Sequence, residues 1–218
     1  MSDNPVLKTV ERMSQGISDF FWDSFMALNL NGISGDYVEF GSWGGNTLHR
    51  AYEVIRDVGP PRHLWAYDSF KGFPELTDER DRRWTVGGLG GGVAQGVDEF
   101  HETAASNGVP RDAYTVTEGF FEDTLRPLGT DGAPKDIALA YVDCNMYAST
   151  KTVFDFLAPR LKHGMIVAFD DYFCWSADDV SGERKALLEL ITRDDRWMWT
   201  PYIQYGWYGQ SFVLERVA

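Results

Sequence analysis

The sequence predicts an α/β, Rossmann-like fold, and three observations carry that expectation. Short apolar runs at 37–40, 63–67, 114–117, 137–142 and 165–169 alternate with stretches of helical periodicity. That alternation is the pattern of βαβ units and hence of a mainly parallel sheet. Several runs end on acids: Asp68 after the second, Asp143 after the fourth, Asp170 and Asp171 after the fifth. Two aromatic-rich runs, 197–205 and 211–215, close the chain across a short glycine-containing turn. Such a connection pairs strands antiparallel, so the seven-stranded sheet ends in an antiparallel hairpin.

Each element has its own signal. Val10, Met13, Ile17, Phe20, Phe21, Phe25 and Met26 recur at helical spacing, which predicts one or two amphipathic helices. They form an N-terminal helical extension over 1–34, ahead of a main domain over 35–218. The first strand, 37–40, runs into the glycine-rich turn 41–45 and a helix over 46–56. After Asp68, the segment 80–96 carries six glycines between Gly87 and Gly96, and this glycine-rich part cannot form regular structure. The segment is expected to close over a site when ligands bind. Further helices are predicted at 97–107, 149–161 and 182–193, with a short crossover at 121–125 limited by Pro127.

Composition bounds the function. The 218 residues suit one α/β domain with a buried core. With 33 acidic against 20 basic side chains the net charge is -13, and no dense Lys/Arg run exists, which argues against a nucleic-acid partner. Two cysteines, Cys144 and Cys174, fit a reducing cytoplasm rather than a disulfide framework. The apolar runs are long enough for buried strands but not for a membrane span, and the N-terminus lacks the apolar core of a signal peptide. A cytoplasmic protein with no membrane partner is expected.

Ligands of open parallel sheets bind beyond the carboxyl ends of the strands, where the acids lie. Any single acid there is read equally well as a helix N-cap, but acids on successive tips point to a site. The turn Glu39-Phe-Gly41-Ser-Trp43-Gly44-Gly45-Asn-Thr47 offers backbone N–H groups and a helix N-terminus. Trp43 stands at the second glycine of G-x-G-x-x-G, where backbone must approach a pyrophosphate, so NAD is disfavoured. The preceding Glu39 suits an ammonium group, and Asp68, about 20 residues beyond the turn, suits ribose hydroxyls. Together they describe a nucleoside bearing an amino-acid tail, as in S-adenosylmethionine.

The segments GDYVEFGSWGGNT, WAYDSFKGFPE, EGFFEDTL, LAYVDCNMYAST and GMIVAFDDY, in this order, resemble the macrocin-type (TylF/MycF) S-adenosylmethionine-dependent O-methyltransferases of deoxysugars in natural products. The resemblance runs from about Gly35 to Tyr172. It implies a class I methyltransferase fold, Mg²⁺ near the acceptor, and a sugar or glycoside as the small-molecule hydroxyl acceptor. It implies that Glu39, Gly41, Ser42 and Thr47 line the methionine end, Asp68 and Ser69 the ribose, and Glu118, Gly119 and Phe120 the adenine edge. Asp143, Asp170 and Asp171 match metal-ligand positions, with Asp143 also beside the cosubstrate. One departure stands out: the family reads D-G-D-x-Y where this chain reads Asp143-Cys144-Asn145-Met146-Tyr147, so an amide replaces a carboxylate. Clustered carboxylates remain physically suited to Mg²⁺, which takes hard oxygen ligands; N-caps, or a metal-free site with an aspartate base, are the other readings. A homo-oligomer is also expected.

Among the histidines, His63 and His163 fall at the wrong end of the sheet and His49 reads as packing or capping, whereas His101, following the glycine-rich segment, could reach the acceptor as general base. Tyr172 and Trp175, next to the acids, are placed to form an aromatic platform for a sugar face. Two other functions stay open. A catechol- or phenol-type O-methyltransferase is less favoured because Met146 stands in the region of that group's lysine base; a non-catalytic S-adenosylmethionine-binding protein is hinted at only by Asn145 and the unassigned base.

Overall fold

The structure is a computed structural model that describes residues 5–76, 78–79, 81–82, 94–173 and 178–216. The glycine-rich run as far as Val93, Cys174 and Trp175 lie outside the described residues.

In chain order the elements are α1 (Pro5–Leu30), β1 (Asp36–Phe40), α2 (Asn46–Val58), β2 (Leu64–Asp68), α3 (Val97–Ser106), β3 (Tyr114–Glu118), α4 (Phe121–Thr124), β4 (Ile137–Val142), α5 (Tyr147–Leu157), β5 (Ile166–Phe169), α6 (Gly182–Arg193), β6 (Trp197–Tyr205) and β7 (Gly209–Arg216). The seven strands form one sheet in the order β3-β2-β1-β4-β5-β7-β6. The first five are parallel and β7 runs antiparallel to β6, both as the sequence predicts, and β7 also pairs antiparallel with β5. Strand order reverses between β1 and β4, the switch point at which such sheets bind ligands.

Alternation along β1 sorts the two faces. Tyr37 joins one core cluster with Phe20, Phe21, Phe25 and Leu28 of α1, Leu48 and Ile55 of α2, and Phe100 of α3. Val38 and Phe40 join the other, with Phe154 and Leu157 of α5 and Leu187 of α6. The result is three layers, helices covering both faces of the sheet.

Several expectations shift in detail. The N-terminal periodicity gives one continuous helix, and Met26 faces outward with Trp22 and Leu30. Asp68 and Glu118 belong to strands and pair with each other rather than lying in loops. The helix expected over 149–161 starts at Tyr147 and tightens into a 3₁₀ turn at Ala158–Arg160. Pro159 lacks the N–H that would continue the α-helical ladder. At the sheet's outer margin β6 is an edge strand containing Pro201, and its register against β7 slips between Pro201 and Gln204.

Candidate functional site

The carboxyl ends of β1, β2, β4 and β5 meet at one edge because their ladders extend past the strands. Gly41 N–H donates to Tyr67 O (2.8 Å), Asp143 N–H to Phe40 O (2.8 Å) and Asp170 N–H to Val142 O (2.9 Å). Gly41 makes the closest approach: its φ is +89°, and a Cβ there would lie 1.9 Å from Asp143 O. Only glycine fits such a position.

Backbone strain concentrates at this edge. The non-glycine residues with positive φ among those described are Trp43 (39°), Phe70 (52°) and Asn145 (60°), in the turns after β1, β2 and β4. Left-handed backbone in bulky residues persists where surrounding bonds over-determine it. Asp68 supplies those bonds for two of the three turns. Its Oδ2 accepts from Ser42 and Trp43 N–H (2.8 Å each), and its Oδ1 from Phe70 N–H (2.7 Å).

The acids gather beside these turns. Asp143, Asp170 and Asp171 are half-buried, and each offers an oxygen within 4.8 Å of the others, a grouping able to hold a metal ion. Tyr141 donates its hydroxyl to Asp170, and Asn145 donates its side-chain amide to Asp171. Glu39 is fully buried; its Oε2 accepts from the Tyr37 hydroxyl (2.6 Å), while its Oε1 meets no donor among the described residues. An ammonium group would satisfy that oxygen, which is the fit expected for the methionine end of S-adenosylmethionine.

Burial dominates the electrostatics. It pushes Glu39 up to about 8, against the lowering effect of the Tyr37 hydroxyl. Burial, then the charge of Asp171, raises Asp170 to about 7, and burial with Asp170 and Asp171 raises Asp143 well above the carboxylate range. An acid raised on folding binds its proton more tightly folded than unfolded, so its contribution is present at low pH and is lost as pH rises through the folded value. The cation-free protein is therefore expected to lose stability between about pH 4 and pH 8. A divalent cation, which binds the ionised acids, should raise Tm more at about pH 8 than at about pH 5. Equal increments in a melting series would remove the acids as its ligands.

The other expected residues are placed as follows. Ser42 is buried in the turn, and Thr47 is half-buried in the first turn of α2. Ser69 spends its hydroxyl within its own turn, donating to Gly72 O (2.6 Å) and accepting from Lys71 N–H (3.1 Å). Glu118 is exposed, 3.4 Å from Lys71 Nζ, and Gly119 N–H donates to Asp68 O (2.9 Å). Phe120, half-buried, precedes α4. The structure thus brings together the methionine-end, ribose and acid positions along one edge. His101 is not brought to the acids. Its Nδ1 lies 2.9 Å from the hydroxyl of Tyr114, which opens β3 at the end opposite Glu118, and its ring packs edge-on against Phe100.

Two buried carboxylates had no distinguishing signal in the sequence. Asp81 accepts from the N–H groups of Tyr147 (2.6 Å) and Ala148 (3.1 Å), capping α5 from a distant part of the chain. Glu183 opens α6 with its side chain fully buried.

If Asp68 also holds the ribose hydroxyls, Asp68→Ala removes charge-assisted bonds of roughly 1.5–3 kcal/mol and weakens S-adenosylmethionine about ten- to a hundredfold. Calorimetry returning wild-type affinity would sink that role.

Comparison with known proteins bears on the fold and the family. A curated relative, the 8-demethyl-8-(2,3-dimethoxy-alpha-L-rhamnosyl)-tetracenomycin-C 4'-O-methyltransferase of Streptomyces olivaceus, is 32% identical over 147 residues, covering 65% of this chain and 54% of that protein. The chain therefore spans about half the length of this relative. The mycinamicin III 3''-O-methyltransferase of Micromonospora griseorubida is 28% identical, over 76% of this chain and 67% of the relative. The structure of the O-methyltransferase NovP superposes with a TM-score of 0.78 over 92% of this chain and 80% of NovP, at 22% identity, and shares the class I methyltransferase fold. The model of the macrocin-O-methyltransferase (TylF) family matches residues 17–186, a range that includes β1 to β5 and the residues from Glu39 to Asp171, and the chain belongs to that family.

Proposed function

We propose that the chain is an S-adenosylmethionine-dependent O-methyltransferase that methylates a hydroxyl of a sugar or glycosylated natural product, assisted by Mg²⁺. The observation that carries this reading is the convergence on one sheet edge of Glu39, with its open buried oxygen, Asp68 at the strained turns, and the three clustered aspartates.

Glu39 and the 41–47 turn would hold the methionine end, Asp68 with Ser69 the ribose, and Glu118, Gly119 and Phe120 the adenine edge. When bound, S-adenosylmethionine supplies an electrophilic methyl group on sulfur. Asp143, Asp170 and Asp171 would hold the cation, with oxygen donors of the kind Mg²⁺ takes. When bound, Mg²⁺ lowers the pKa of an alkyl hydroxyl, otherwise near that of water, about 15.7. The chain's own task is positioning: the rigid turns must keep an acceptor oxygen about 3 Å from the methyl carbon and in line with the breaking bond. His101 has no role in this reading, because its Nδ1 lies against the hydroxyl of Tyr114, at the end of β3 opposite Glu118.

The relatives named for a dimethoxy-rhamnosyl tetracenomycin and for mycinamicin III support a glycosylated acceptor. A homo-oligomer is part of the proposal, supported by Trp22, Met26 and Leu30 exposed at four-residue spacing along α1. A cytoplasmic location is also proposed, supported by the low cysteine count; no helix among the described residues is long and apolar enough to cross a membrane. Product mass after incubation with S-adenosylmethionine and a panel of nucleotide-sugars, glycosides and phenols tests the function. One added methyl on a glycosyl group is expected. Transfer to phenols alone would favour the catechol-type reading, and no transfer a binding protein.

A further inference from the structure

Glu183 links the two loops that carry the acid cluster. Its Oε1 accepts from the N–H groups of Cys144 (3.0 Å) and Asn145 (3.1 Å), and its Oε2 from Asp171 N–H (3.0 Å). Cys144 and Asn145 follow Asp143 on the loop after β4, whereas Asp171 lies on the loop after β5. A fully buried carboxylate on a third element, α6, therefore spans both. The Asn145 side-chain amide adds a second tie between the same loops by donating to Asp171. Where the family's motif has a carboxylate, this chain has a donor that orients a neighbouring carboxylate.

We infer that Glu183 is a positioning residue for the cation site, holding Asp143 and Asp171 at ligand spacing by clamping the backbone of both loops. The inference rests on the proposed cation reading. Its physical basis is the cost of buried, unpaired N–H groups. Without the carboxylate, three donors lose their partner, and the loops must shift to find water. Asn145, held at φ 60°, is the residue with the most to relax. Partners that orient metal ligands without touching the metal typically change its affinity by about 10–100-fold.

The test uses metal-free protein titrated with Mn²⁺, followed by electron paramagnetic resonance, with S-adenosylmethionine binding measured separately by calorimetry. Glu183→Gln keeps the shape and one acceptor oxygen but turns an amide donor toward one of the loops. Its Mn²⁺ affinity should fall about 10–100-fold while S-adenosylmethionine affinity stays close to wild type. Glu183→Asp keeps the charge but is one methylene too short to reach both loops, so it should bind Mn²⁺ about as weakly as Glu183→Gln. Unchanged Mn²⁺ affinity in Glu183→Gln overturns the positioning role and leaves the cation reading standing. Wild-type affinity in Glu183→Asp assigns the effect to charge alone and also overturns it. Wild-type protein that binds no Mn²⁺ defeats the cation reading itself, and this inference with it.

Discussion

Asp143→Asn and Asp171→Asn enzymes are each expected to lose about two to three orders of magnitude in kcat, equivalent to about 3–4 kcal/mol of transition-state stabilisation. Both substitutions keep the side chain's shape and remove one ligand charge from a cluster whose oxygens lie within 4.8 Å. For Asp171→Asn, S-adenosylmethionine affinity should change far less than the rate, because Asp171 lies on the loop after β5 and the turn proposed to hold the cosubstrate follows β1. Excess chelator should reproduce the loss in wild-type enzyme, and added Mg²⁺ should restore turnover. Full activity in chelator would remove the metal assignment and leave an aspartate as a metal-free base, with the methyltransferase reading intact.

Gly41→Ala should be the most damaging single change to stability. The new Cβ would lie 1.9 Å from Asp143 O and 2.7 Å from its carbonyl carbon, at a φ of +89°. Those atoms are backbone of a residue whose own N–H is tied to Phe40 O of β1, so no side chain can swing aside. Overpacking costs about 1–3 kcal/mol and left-handed backbone about 1–2 kcal/mol. A sum of about 2–5 kcal/mol corresponds to a Tm lower by roughly 10 °C in a chain of this size. Because relief must push the tips of β1 and β4 apart, cosubstrate binding should fail together with stability. A melt within about 2 °C of wild type would show that the turn can relax, contrary to the packing argument.

The centre of the sheet was legible because β1, β4 and β5 are buried on both faces and so read as continuous apolar runs. β4 at Ile137–Val142, α6 at Gly182–Arg193 and β6 at Trp197–Tyr205 begin and end where the sequence places them. The acids at the strand tips were legible for a related reason: parallel strands deliver their last residues to one edge. Pairings set only by tertiary folding were not legible. Asp81 caps α5 across 66 residues, and nothing local distinguishes it from a surface acid. Glu183 reads as an ordinary acid in a helix's first turn, favourable for the dipole, until the loops it clamps are seen. Trp43 and Phe70 are residue types that ordinarily avoid positive φ, so no propensity rule could place strain there. His101 illustrates the reverse error: chain proximity to the glycine-rich segment suggested reach, but its helix turns it to Tyr114.

The edge strand β6 bears on how copies of this chain can meet. An unprotected outer strand invites a neighbour's strand to continue the sheet, the route by which β-rich surfaces aggregate. Pro201 removes one amide donor from that margin, and the slip between Pro201 and Gln204 interrupts the regular spacing of the rest. An incoming strand would find no continuous row of donors and acceptors to zip against. At this margin the sheet is thereby closed to a further strand, and contacts between copies made across it must be built from side-chain surfaces, which can be selective, rather than from open-ended backbone pairing, which cannot.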